Sequence, residues 1–226
     1  MKISKSLLAT AALIASIGSS ISASAQVIGS QGGGLGPFLG LSTSVPGTTP
    51  ASNCGVATCT LGSIGTIVGG QILTGQSFSA DIPANIFGSQ FLAAGPTASQ
   101  PSILTFSGAG QSYISFLWGS PDLYNRLTVV STGGSQVFTA NTSGVGLNNL
   151  GFTTFNGDQD QSRYVQFFAN PGVMITQLIF DNNPSQNAFE VANFSNTRPV
   201  PEPSSLLLVA AGLSALAFVG LRRKQA

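Results

Sequence analysis

The sequence predicts an all-β fold: a single β-sandwich of the jelly-roll kind, between an N-terminal signal peptide and a C-terminal transmembrane helix. Three observations predict it. Short segments of alternating polarity recur about every eight to twelve residues through the middle of the chain, with turn residues between them. No segment of that middle region carries a helical apolar stripe. The two apolar runs long enough to matter to a membrane lie at the two ends, each beside its own cluster of cations.

Composition narrows the function before any motif is read. Only 7% of the 226 residues are charged, against about 25% in an ordinary soluble domain. There is no histidine, which removes the usual general base, the commonest neutral metal ligand and every histidine-containing triad. The formal net charge of +1 hides a segregation. Lys2 and Lys5 lie at one end and Arg222, Arg223 and Lys224 at the other, while residues 26–200 carry three arginines against five aspartates and one glutamate. A body that is slightly acidic has no basic footprint for nucleic acid, and no nucleic-acid partner is expected.

Residues 1–25 follow the plan of a secretory signal peptide. Lys2 and Lys5 form the positive start, residues 7–17 an apolar stretch, and Ala23-Ser24-Ala25 the small residues a signal peptidase requires. Cleavage after Ala25 makes Gln26 the first residue of the mature chain. Residues 26–54, rich in Gly, Ser, Thr and Pro and including Gly32-Gly33-Gly34, are expected to form a flexible lead-in. That composition buries too little apolar surface to offset the entropy of ordering.

The sandwich domain is expected over residues 55–195, enough for one core. Strands are expected over 102–106, 112–118, 126–130, 136–140, 151–155, 164–168, 173–180 and 189–194. In the second of these, Ile114, Phe116 and Trp118 alternate with Tyr113, Ser115 and Leu117. Gly133-Gly134 marks a hairpin, and Ser120-Pro121-Asp122 and residues 181–184 mark loops. Cys54 and Cys59 in an exported chain are read as a disulfide. Two thiolates without histidine fall short of a zinc site, and the C-x-x-C spacing of redox pairs is absent.

Two features invite a ligand. Trp118 and Tyr124 could offer ring faces to sugar C–H groups, although the alternation of Trp118 with Ile114 and Phe116 favours a core residue between the sheets. Tyr124, in the loop after Pro121-Asp122, is the better surface aromatic. Asn156, Asp158 and Asp160 place oxygen atoms at alternate positions of a loop, as a structural calcium site does, but a solvated turn uses the same residues. No other cofactor is expected. Glycoside hydrolysis needs two acids flanking a cleft, and the few carboxylates fall mostly in expected turns. A serine nucleophile has neither a histidine base nor a Gly-x-Ser-x-Gly elbow.

Residues 196–205 are expected to be an unstructured linker holding Val200-Pro201-Glu202-Pro203, two prolines around one glutamate that favour an extended segment. Residues 206–221 are almost wholly aliphatic and run directly into Arg222-Arg223-Lys224. At about 1.5 Å per residue such a helix approaches the thickness of a thin bilayer, and the terminal cations keep its end in the cytoplasm.

Pro-Glu-Pro, an apolar span and a terminal basic cluster together resemble the PEP-CTERM sorting signal of Gram-negative bacteria. The resemblance covers residues 200–226. It implies that an exosortase cuts near the Pro-Glu-Pro and passes the protein to the cell surface or beyond. Residues 113–125, closing with 189–194, are similar to the body of some PEP-CTERM surface proteins, which look like small β-sandwich modules without assigned chemistry. The expected function is a non-enzymatic surface or extracellular-matrix protein associated with extracellular polysaccharide or biofilm. The alternatives are a carbohydrate-binding module with a defined sugar site and, behind it, a secreted hydrolase.

Overall fold

The computed structural model describes residues 26–43, 51–55, 59–74, 86–95, 99–140, 147–152, 162–182 and 188–199. The signal-peptide residues Ala23 and Ala25, the candidate calcium loop with Asn156, Asp158 and Asp160, and residues 200–226 lie outside them. Among the described residues no helix is long and apolar enough to cross a membrane.

Eight strands carry the architecture: β7 (Gln90–Ala94), β8 (Ser102–Phe106), β9 (Tyr113–Gly119), β10 (Asn125–Ser131), β11 (Gly134–Thr139), β13 (Arg163–Ala169), β14 (Ile175–Asn182) and β15 (Phe189–Ser195). Their antiparallel pairings are nested, β10 with β11, β9 with β13, β8 with β14 and β7 with β15. A long double ribbon is thereby rolled into two sheets, with central orders β13-β9-β15-β7 and β11-β10-β14-β8. Nesting of this kind, with successive pairs falling in alternate sheets, is jelly-roll topology.

Alternation builds the core. Ile114, Phe116 and Trp118 of β9, Val165 and Phe167 of β13, and Phe189, Val191 and Phe194 of β15 meet Leu127, Val129, Leu178, Phe180 and Leu104 of the other sheet. Phe116 is the hub, with ring centroids 5.7 Å from Phe167, 5.6 Å from Phe180 and 5.4 Å from Phe194. Each such aromatic pair adds about 0.5–1.5 kcal/mol beyond its buried area.

The structure corrects the flexible lead-in. Residues of that segment form β1 (Val27–Gln31), β2 (Leu41–Thr43) and β3 (Ala51–Asn53). β1 covers the edge of β13; β6 (Gln71–Thr74) and β3 extend the same sheet beyond β7. β5 (Gly65–Val68), β4 (Cys59–Leu61) and β2 extend the other sheet beyond β8, and β12 (Leu147–Asn149) pairs in parallel with β11. Ordering here comes from backbone pairing onto sheet edges already formed by the rest of the chain, a gain that local composition does not reveal.

The glycine triplet has a further use. Residues 32–40 cross the outer face of the first sheet as a strap, with Gly32 N–H donating to Tyr164 O at 2.8 Å and Leu39 N–H to Phe194 O at 2.7 Å. Gly33 and Gly34 have φ of +95° and +74°, and a Cβ on them would lie 2.6 Å from Ser115 Cβ and 2.7 Å from the Tyr164 ring. Only glycine combines that conformation with so close an approach. Beneath the strap and the 3-10 turn Phe87–Ser89, a second apolar cluster of Phe91, Ala93, Leu117 and Ala192 is buried, so β9 is covered on both faces.

Two other boundaries shift. Residues 196–199 are docked: Asn196 Nδ2 donates to Gln111 Oε1 at 3.2 Å, and the Arg198 guanidinium lies 5.1 Å from the centre of the Phe168 ring. The linker therefore starts later than 196. Gly151 and Phe152, the described part of the strand expected over 151–155, are not in a strand; Phe152 instead packs its ring edge-on to Trp118.

Candidate functional site

Cys54 and Cys59 are joined, with Cα atoms 5.4 Å apart. Cys54 follows β3 in one sheet and Cys59 opens β4 in the other, so the bond clips the two sheets together at one end.

Trp118 is not a sugar platform. It is completely buried, stacked on Phe189 at 4.4 Å between ring centroids, with Phe152 at 5.5 Å. Its indole N–H donates to Asn125 Oδ1 at 3.4 Å. The inward register of β9 decides the matter, since Trp118 shares its face with Ile114 and Phe116. Tyr124 is half-buried with its hydroxyl oxygen shielded from solvent, so its polar tip belongs to the interior of the β9–β10 connection.

That connection holds a buried polar chain. Asp122 N–H donates to Asn125 Oδ1 at 2.8 Å, Asn125 Nδ2 to Asn182 Oδ1 at 2.7 Å, and Asn182 Nδ2 to Ala94 O at 2.9 Å. Three elements from both sheets are thereby cross-linked through amides, which is how buried polar groups are satisfied without charge. Burial pushes the Asp122 carboxyl above its ordinary range, and a hydrogen bond with Tyr124 pulls it partly back. Chemically the arrangement is a clamp: a desolvated acid with a tyrosine hydroxyl and amide neighbours.

On the outer face of the first sheet the structure assembles an aromatic cluster that the sequence reading missed. Phe38 of the strap stacks on Tyr164 of β13 at 6.3 Å and leans on Phe87 at 6.3 Å. Asn193 of β15 ties the cluster together. Its Nδ2 donates to the Tyr164 hydroxyl at 2.7 Å, and its Oδ1 accepts from Phe87 N–H at 2.6 Å. Phe87 is 48% exposed and Leu35 49%, which leaves ring and aliphatic surface beside the half-buried Tyr164, with the Asn193 amide buried beneath. The signal available in sequence was the glycine triplet with Leu35 and Phe38 just after it. Tyr164 and Phe87 are distant in the chain and could not be joined to it by pattern.

The described carboxylates come from three different elements. Asp122 lies in the β9–β10 connection, Asp181 on β14 of one sheet and Glu190 on β15 of the other. Among the described residues no group of three or more Cys, Asp or Glu side chains is placed to hold a metal.

β15 ends at Ser195, and the chain leaves the sandwich beside Phe168 and Gln111. A family model for the PEP-CTERM protein-sorting motif matches residues 199–224, beginning four positions past that strand. The chain carries a PEP-CTERM sorting tail. The PEP-CTERM tail implies processing by an exosortase, export, and a cell-surface or extracellular destination. Val200, Pro201, Glu202 and Pro203 and the basic cluster Arg222, Arg223 and Lys224 all fall inside the matched stretch. No curated protein and no solved structure matches the chain significantly.

Proposed function

We propose that the processed chain is a non-enzymatic structural component of an extracellular polysaccharide layer, delivered by its PEP-CTERM tail. The observation that carries this reading is the charge-poor surface of an exported jelly roll. The described residues hold three arginines, two aspartates and one glutamate, and neither lysine nor histidine. Hydroxyl and amide side chains exchange hydrogen bonds with sugar hydroxyls without the cost of desolvating ions.

The second reading is a carbohydrate-binding module with a defined sugar site, and the half-exposed Phe38–Phe87–Tyr164 cluster favours it over any role for Trp118 in sugar contact. The test is to recover the protein from its native cells, fractionated into membrane, cell surface and extracellular polysaccharide. The expected product starts at Gln26, ends near Pro201-Glu202-Pro203 and travels with the polysaccharide. A full-length chain retained in the membrane overturns the processing step, and a processed chain free of polysaccharide overturns the matrix role.

A further inference from the structure

The outer face of the second sheet carries an ordered array that composition alone does not show. Following the register from β2 to β14, Ser42 pairs with Thr60, Thr60 with Thr66, Thr66 with Thr105, and Thr105 with Gln177. These five hydroxyl or amide side chains form one cross-strand row over five strands, all exposed or half-buried. Neighbours in it are already linked: the Ser42 and Thr60 hydroxyls lie 2.7 Å apart, and Gln177 Nε2 donates to Thr105 Oγ1 at 3.2 Å. Two residues along the same strands runs a second row, in which Val68 pairs with Ile103, Ile103 with Ile179 and Ile179 with Thr128. Val68 is 63% exposed and the other three are half-buried. Neither row holds a charge. The first charged pair, Arg126 beside Asp181, lies one row further out.

Threonine and β-branched aliphatics suit any outward strand face. Strand propensity does not sort them into one polar and one apolar row held in register over β5, β8 and β14. We infer that this face binds an uncharged linear polysaccharide laid across the strands. An extended sugar chain has the matching two-part chemistry, apolar C–H ring faces and hydroxyl edges. Strands about 4.8 Å apart offer one side chain of each kind per step, close to the length of one pyranose unit. The rows themselves lie about 7 Å apart, within the width of a sugar ring with its hydroxyls. The absence of charge from both rows suits a neutral polymer and disfavours an acidic one. This inference rests on the polysaccharide reading above and adds to it a surface, an orientation and a ligand class.

The test uses the full mature chain, with adsorption to microcrystalline cellulose and to chitin as neutral probes and alginate as the acidic one. Thr105→Asp and Val68→Asp place charge at exposed positions of the two rows; Phe87→Ala alters the aromatic cluster on the opposite sheet. Unfolding midpoint and Trp118 emission confirm that each variant is folded. The expected result is adsorption to a neutral probe over alginate, reduced at least tenfold by either aspartate and unchanged by Phe87→Ala. If Phe87→Ala abolishes adsorption and the aspartates do not, the site is the aromatic cluster; the inference fails while the polysaccharide reading stands. If the aspartates instead convert an oligomer to a monomer without affecting adsorption, the face joins copies of this chain and the inference fails. If the wild type adsorbs to no probe and does not travel with its native polysaccharide, both fall.

Discussion

Replacing Trp118 with alanine tests the sandwich core and the fate of the sugar-platform reading in one experiment. The side chain is fully buried, stacked on Phe189 and edge-on to Phe152. Deleting a buried Trp or Phe ring costs about 3–5 kcal/mol. With two aromatic partners losing their contacts, the expected value lies at the upper end, about 4–5 kcal/mol. The indole N–H adds little to this, because Asn125 Oδ1 still accepts from Asp122 N–H after the donor is gone. For a domain of this size the loss corresponds to a fall in Tm of roughly 8–20 °C. Trp118→Phe keeps a ring against Phe189 and is expected to cost roughly half as much. Denaturant unfolding followed by far-UV circular dichroism measures all three proteins. The wild type adds a second probe, since Trp118 is the sole tryptophan and its emission should be blue-shifted until the fold opens. A Trp118→Ala protein that loses under about 1 kcal/mol yet stops binding polysaccharide would refute the core assignment.

Three further outcomes follow from the geometry. Gly33→Ala forces a Cβ onto Ser115 at a φ of +95°, and should lower stability by about 2 kcal/mol or more in equilibrium unfolding. Cys54→Ser with Cys59→Ser removes a short covalent loop and should cost about 2 kcal/mol, whereas an unchanged midpoint would mean that the bond does not join the sheets. Asp122 binds its proton more tightly folded than unfolded, so it makes stability fall as pH rises from the unfolded value of 3.8 through the raised folded value. Asp122→Asn should therefore gain on the wild type at neutral pH, with the gap closing on acidification; a gap independent of pH would contradict the burial of that carboxylate.

Much was legible from residues alone because it is written in local chemistry. Alternation in β9 and β10 marked strands, the cysteines marked a bond, and the terminal tail reads without any folding. A jelly roll was also within reach, since many short strands with turns between them leave few architectures. What remained hidden depends on partners distant in the chain. Residues 26–43 look unable to order themselves, and they order only because β13 and β4 present edges to them. Tyr124 looked like a surface aromatic from its place in a loop, and packing turned its tip inward, whereas the alternation of Trp118 with Ile114 and Phe116 already pointed to the core where it lies.

β15 shows the same division at a single residue. Strict alternation would align Phe194 with Glu190 and Ala192 on the outer face. Instead the register against β9 slips between Ala192 and Ser195, with Asn193 at φ +51°. Asparagine tolerates that left-handed conformation better than most residues, and the resulting bulge returns Phe194 to the core beside Phe116 and Phe180. The same bulge leaves Asn193 to bind Tyr164 and Phe87 outside. The sequence by itself determined the class of fold, the covalent clip and the address, because each depends on neighbouring residues or on charge. Tertiary structure alone decided which side chains face solvent and which rows align across the sheet. Those depend on register, and register comes from energies shared between strands far apart in the chain.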